Sequence, residues 1–154
     1  MMAIVSASTH RARVRVVTSA EDLGVCFDIR RVVFIQGQGV PEAEEMDGLD
    51  RSCTHFLAEV LQGGNPLAAG TVRLRITGRG EAKLERLAVL DALRSMGVGT
   101  MLVRALEAEA ERRGHQEVVL GAQLSSIPFY ESCGYLAQGP VFDDAGIPHR
   151  MMRR

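Results

Sequence analysis

"LERLAVLDALRSMGVGTMLVRALEAEAERRG", residues 84–114, opens as an apolar strand and closes as an amphipathic helix. Val98, Met101, Leu102, Ala105 and Leu106 recur at i, i+3, i+4, i+7 and i+8, which gives the helix one face to pack on a sheet. Arg104, Glu107, Glu111 and Arg112 fall on the other side. The helix therefore starts near Gly97, and the N–H groups of its first turn have no partners within the helix. An anion satisfies them, because the free N–H groups and the positive end of the macrodipole point the same way, and glycine lets a phosphate approach without a Cβ clash. Arg94 adds a full positive charge beside Gly97 and Gly99. An ordinary loop-to-helix turn with its first N–H groups on water is the alternative reading of the same spacing.

Two phosphate motifs are excluded. "GVGTML" has Leu102 where the dinucleotide fingerprint has its third glycine, and "RSMGVGT" lacks the G-K-[ST] of a P-loop. Outward from this stretch, "RARVRVV" (11–17) alternates as a strand. A helix follows, capped by Thr18 or Ser19, with Glu21 and Asp22 in its first turn and Leu23, Cys26, Phe27, Arg30 and Phe34 at helical spacing. Residues 36–50, "QGQGVPEAEEMDGLD", form an acidic loop or a short helix starting near Pro41. "THFLAEVLQ", "LAAGTVRLRI" and "EAKLERLAV" make an antiparallel meander, the first two joined across "GGNP". After Gly114 come a strand "QEVVLGA" (116–122), a serine-capped helix "SSIPFYESCG" (125–134), a strand "YLAQGPVF" and a last edge strand in "IPHRMMRR". The fold class is α/β, a mixed and mostly antiparallel sheet with helices on its faces, and 154 residues are about one domain, residues 1–154.

The formal net charge is −1, with 46% hydrophobic and 24% charged residues. That balance favours neither disorder nor a general nucleic-acid partner. Cys26, Cys53 and Cys133 are odd in number and widely spaced, which points away from a disulfide framework and toward a reducing cytoplasm. No stretch approaches the roughly 18 apolar residues of a spanning helix, so no membrane partner is expected. His10, His55, His115 and His149 are dispersed, so no metal site is expected either.

These residues resemble the GNAT superfamily of N-acetyltransferases. Its pyrophosphate motif [Q/R]-x-x-G-x-[G/A] is met by Arg94, Gly97 and Gly99, and "IPFYESCGY" (127–135) is similar to its late signature F-Y-x-x-x-G-[F/Y]. "VVFIQGQGVPEAEEMDGLD", "KLERLAV" and "AGIPHRMMRR" look like the bacterial ElaA-like subgroup, which usually has F-[VI]-x-E-Q where this chain has Phe34, Ile35, Gln36, Gly37 and Gln38. The resemblance implies a splayed central strand pair and an acetyl-CoA co-substrate. It further implies an amine acceptor, small or peptidic, and direct transfer. Residues 94–100 (Arg94, Ser95, Met96, Gly97, Val98, Gly99, Thr100) would hold the pyrophosphate, and the backbone of Leu87, Ala88 and Val89 the pantetheine arm.

Attack on a thioester needs a neutral amine, so a base must take a proton. Glu85 is the candidate, since it precedes Leu87 and Val89 at period two and all three share one strand face; the alternative is that it pairs with Arg73 or Arg75. Tyr130, in the F-Y signature, is the candidate donor to the leaving thiolate, and Tyr135 reads as packing. Glu45, with the other acidic residues from Glu42 to Asp50, could line an acceptor mouth, and His55 could contact acceptor or act as a second base. Cys133 has no sequence-local base. Two further readings stand beside the enzyme: a non-catalytic acyl-CoA sensor, and a scaffold whose exposed edge strand forms a homodimer.

Overall fold

The computed structural model describes the backbone of residues 2–7 and 10–154, and the side chains of residues 11–94 and 96–154. Among the described residues, the strands are β1 (Met2–Ala7), β2 (His10–Val16), β3 (Thr54–Gln62), β4 (Asn65–Ile76), β5 (Ala82–Val89), β6 (Val118–Gln123), β7 (Leu136–Asp144) and β8 (Ile147–Arg153). They form one sheet in the order β1-β2-β3-β4-β5-β6-β8-β7. Every neighbouring pair is antiparallel except β5 and β6.

The helices are α1 (Ala20–Arg30), which widens into π-helical turns over Arg31–Gln36, a single turn α2 (Glu42–Glu45), α3 (Val98–Arg112) and α4 (Ile127–Ser132). Ser19 caps α1, its hydroxyl accepting from the Asp22 N–H at 3.1 Å. Helices cover both faces of the sheet. Val98, Leu102 and Leu106 of α3 pack with Phe56, Ala58, Val72 and Leu74, while Cys26, Ile29 and Val33 pack on the opposite side with Leu57 and Ala88. The period-two alternation of β3, with Phe56 and Leu57 on opposite faces, therefore feeds two cores at once.

Four sequence expectations change. The N-terminal strand has a partner, β1, that the short apolar run at residues 3–5 did not signal. The β3–β4 turn is only Gly63-Gly64, both at positive φ, so β4 begins at Asn65 rather than after "GGNP". Ser126 stands at the N-cap position of α4 but makes no capping hydrogen bond. The last strand is interior: β8 inserts between β6 and β7, and β7 forms the edge.

Gly70 on β4 is a close approach. A Cβ there would lie 2.8 Å from the Ala88 carbonyl oxygen and 3.0 Å from a Leu102 methyl. The first of these atoms is backbone and cannot turn aside. Gly70→Ala is expected to destabilise the fold by about 1–3 kcal/mol through overpacking, read as a lower midpoint in urea with an unchanged slope.

Candidate active site

The site begins at an irregularity in β5. Its register against β4 pairs Glu85 with Arg73 and Ala88 with Thr71, leaving two residues of β5 between these pairs against one of β4. The extra residue is Arg86, held at φ 58°, in the left-handed region that side chains other than glycine rarely occupy. Such a bulge bends the strand and reverses its alternation. Leu84 lies in the core under α3, whereas Ala88, four residues on, lies in the core under α1. Leu87 and Val89 pack toward α3. Glu85 therefore does not share a face with Leu87 and Val89, and this corrects the period-two expectation.

The same bend separates β5 from β6. Their parallel pairing is limited to Ala82↔Val118 and Lys83↔Val119. Beyond it the strands diverge, and the gap opens into a cavity of about 730 Å³. Leu87, Val89, Arg94, Gly97, Gly99 and Thr100 all line it. Gly97, at φ 75°, turns the chain into α3, whose N-terminus has no side-chain cap. Gly99 faces Phe129 so closely that a Cβ would sit 3.2 Å from the ring. Arg94 donates from Nε to the Val89 carbonyl at 3.1 Å and pairs with Asp91, while its guanidinium stays more than half exposed at the cavity rim. An uncapped turn with a guanidinium beside it is an arrangement that could hold an anion.

The remaining donor-site expectations divide. Ala88 is buried toward α1, Val98 is fully buried on the sheet-facing side of α3 and Met96 packs against the core, and none of the three lines the cavity. Ser95 lies in the 3₁₀ turn Asp91–Met96, and its side chain is outside the described residues.

Tyr130 lines the cavity from α4. Its ring sits edge-on to Phe129 and Tyr135, at 5.1 Å and 6.0 Å between centroids, and among the described residues its hydroxyl has no hydrogen-bond partner. Burial raises its pKa above the ordinary phenol range, so it stays protonated at neutral pH. Tyr135 instead donates to Glu107 at 2.8 Å and is a packing residue. Cys133 is buried.

Glu85 and Glu45 border the cavity and His55 does not, but all three side chains are held by other partners. Glu85 accepts from Arg73 and Arg75 at 2.8–3.2 Å and has Lys83 Nζ at 3.3 Å. Burial alone would raise its pKa, but the bonds from Arg75 and the charges of Arg73 and Lys83 outweigh it and hold the carboxylate at about 2. A carboxylate so held is a poor proton acceptor at neutral pH, and the pairing alternative is the one the geometry favours. His55 is 5% exposed, lies off the cavity lining, and has Nε2 at 2.9 Å from the Asp50 carbonyl; burial lowers its pKa. Glu45 is 3% exposed and pairs with Arg30 at 2.6 Å.

The acidic run is thus a fastening, not an open mouth. Arg30 at the end of α1 and Arg73 on β4 are each 1% exposed and need counter-charges. Asp50 serves both, at 2.7 and 2.8 Å, and Asp47 pairs with Arg73 at 2.7 Å. Arg86 of the bulge reaches across to Asp47 and Glu45; its Nε lies 3.1 Å from Glu45 Oε1 without hydrogen-bond alignment, so that attraction is one of charge. Of the run, Glu44 and Glu45 both border the cavity, Glu44 exposed and Glu45 buried in its ion pairs.

The comparisons with known proteins agree with this geometry. The sequence profile of the Acetyltransferase (GNAT) family matches residues 25–135. This chain belongs to the GNAT acetyltransferase family. The family match spans the bulge, the Arg94-Gly97-Gly99 turn and Tyr130. YjcF of Bacillus subtilis (strain 168), named as an uncharacterized N-acetyltransferase, is 39% identical over 135 residues, covering 87% of this chain and 93% of YjcF. Among solved structures, an acyl-CoA N-acyltransferase from Pseudomonas aeruginosa is similar with a TM-score of 0.77 and 27% identity, over 92% of this chain and 97% of that one. Escherichia coli ElaA is similar with a TM-score of 0.76 and 25% identity, again over 92% and 97%. The GNAT fold class and the ElaA-like resemblance drawn from the motifs both stand.

Sequence reasoning passed over the far wall of the cavity. It is built by the β7–β8 hairpin, which brings Phe142, Asp144, Ala145, Ile147 and His149 to the lining. The available signal was "DDAGIPH": a turn at Asp144–Gly146, followed by a histidine three residues past the glycine. Nothing in the spacing says that this hairpin leans over a gap opened by β5. Gln38 and Gln123 close one end of the gap, the Gln123 amide donating to Gln38 at 2.8 Å.

Proposed function

We propose that this chain is an N-acetyltransferase that moves an acetyl group from acetyl-CoA directly to an amine acceptor. The observation that carries the reading is the junction of the splayed strands with the uncapped N-terminus of α3, in one cavity that Tyr130 also lines. In this reading the first-turn N–H groups and Arg94 bind the pyrophosphate, and the free edge of β5 at Leu87 and Val89 pairs with the pantetheine arm as a strand would. In the same reading the Leu87 N–H stabilises the developing oxyanion of the thioester carbonyl. Tyr130 donates its proton to the departing thiolate. The acceptor is an amine because the reaction class requires a nitrogen lone pair, and a peptidic amine or a small one meets that need equally. An unpartnered, protonated Tyr130 hydroxyl favours catalysis over a purely sensory acyl-CoA site.

Calorimetric titration with acetyl-CoA tests the donor site. The wild type should bind one equivalent saturably. Arg94→Glu, a change at an exposed side chain, should weaken binding by about tenfold to a hundredfold, the worth of one or two units of charge-assisted bonding. A folded wild type that binds no acetyl-CoA would remove the reading.

A further inference from the structure

His149 occupies a position that the donor site leaves unexplained. It is 8% exposed, yet it lines the cavity opposite the bulge. Its Nδ1 is 2.7 Å from the Ile147 carbonyl oxygen. A carbonyl can only accept, so this contact puts the neutral ring's proton on Nδ1 and leaves the Nε2 lone pair free. Among the described residues Nε2 has no hydrogen-bond partner. The ring is held from two directions. Phe142 stacks on it at 5.7 Å between centroids and 30° between planes, and Phe142 in turn fits against Gly121, where a Cβ would stand 3.3 Å from its ring. In the sheet, His149 is the register partner of both Gln123 and Phe142, so the residue is fixed by strands on either side.

We propose that His149 is the general base that takes the proton from the acceptor amine. This rests on the acetyl-transfer reading above and goes beyond it by assigning the role that Glu85 and His55 cannot fill. His149 Nε2 takes one proton from the ammonium and hands it to solvent, and the freed nitrogen lone pair attacks the thioester carbon, forming the C–N bond. The C–S bond then breaks, and the sulfur takes its proton from Tyr130. The second proton lost by the nitrogen passes through solvent to restore the one on Tyr130, so that an ammonium and acetyl-CoA yield an amide, free thiol and one released proton. The charged groups that share the cavity with His149 are Asp144 on the adjoining β7, Lys83, Glu85 and Arg86 on β5, Glu44 and Glu45 of α2, and Arg94 ahead of α3; Tyr130 of α4 is the titratable phenol. Lys83, Glu85, Arg86 and Glu45 are ion-paired with partners other than His149. Asp144 is exposed on β7, and Glu44 on α2.

The test uses methylamine, small enough to enter without specific recognition, and follows thiol release from acetyl-CoA across pH. His149→Asn keeps a donor for the Ile147 carbonyl and removes the basic nitrogen; His149→Gln is the second variant should the first fold poorly. The expected result is a fall in kcat/KM of about 10²- to 10⁴-fold. In the variants methylamine turnover should follow the free-amine fraction and recover toward the wild-type rate at high pH, and the acetyl-CoA affinity measured by calorimetry should be unchanged. Hydroxylamine, neutral without help at neutral pH, should restore turnover by the variants. Unaltered methylamine turnover in the variants would overturn the assignment. So would equal losses with methylamine and hydroxylamine, which mark a structural role, or a wild type that binds acetyl-CoA and releases no thiol with methylamine. A wild type without acetyl-CoA binding would instead remove the acetyl-transfer reading on which the assignment stands.

Discussion

Tyr130→Phe is expected to lower thiol release by about 10²- to 10⁴-fold while leaving acetyl-CoA affinity within a factor of two or so, because it deletes one proton donor and almost no packing surface. The hydroxyl has no hydrogen-bond partner among the described residues, so its removal orphans no buried group, and the ring keeps its edge-on contacts with Phe129 and Tyr135. A purely structural tyrosine would give the opposite pattern, a lower melting temperature with turnover per folded molecule preserved. A non-catalytic acyl-CoA sensor would show neither change.

The second large effect concerns the fastening under the cavity. Arg73→Ala removes the one cation that faces Asp47, Asp50 and Glu85 together, and it leaves each of these half-buried or buried carboxylates one counter-charge short. Breaking a buried pair from one side is expected to cost about 3–5 kcal/mol, enough to unfold a marginal domain at 37 °C. Urea unfolding followed by circular dichroism reads it directly. The conservative Arg73→Lys should recover only part of the loss, since a single ammonium cannot serve three carboxylates with the geometry of a guanidinium.

Acid works on the same network. Burial pushes the pKa of Asp50 up, but the bonds from Arg30 and Arg73 outweigh it, and both Asp50 and Asp47 are held below the ordinary carboxylate value in the fold, as Glu85 is held at about 2 against 4.5. Carboxylates depressed in this way stabilise the fold above their unfolded pKa, and that stability is lost as pH falls through the folded one. The urea midpoint should therefore drop steeply between about pH 4.5 and pH 2. Arg73→Ala should flatten that part of the curve. An equally steep fall in the variant would show that other carboxylates govern acid unfolding.

Much of the architecture was open to reading along the chain. The α3 face, the capping Ser19, the paired strands β3 and β4 and the Arg94-Gly97-Gly99 turn are all written in residues that lie within a few positions of one another. Local periodicity and capping chemistry suffice for such elements, because each is decided by neighbours one turn or one strand pair away. The same locality explains why the phosphate-site motif could be recognised and its family proposed before any fold was in view.

What the sequence determined alone was the α/β class, the glycine-flanked start of α3 with Arg94 ahead of it, and the kinds of residue present for acid and base chemistry. Tertiary structure decided which of them face the cavity. The Arg86 bulge inverts the alternation of β5, so that Glu85 turns to three cations instead of joining Leu87 and Val89. Arg30 and Arg73, 43 residues apart, draw the acidic run into their own neutralisation, because two buried guanidinium groups outrank any role the run could have had at an open mouth. His149 enters the site only because β8 is inserted between β6 and β7, which carries it across from the splayed strand. These outcomes depend on charge pairing and strand order over separations of tens of residues, where no local pattern carries the information.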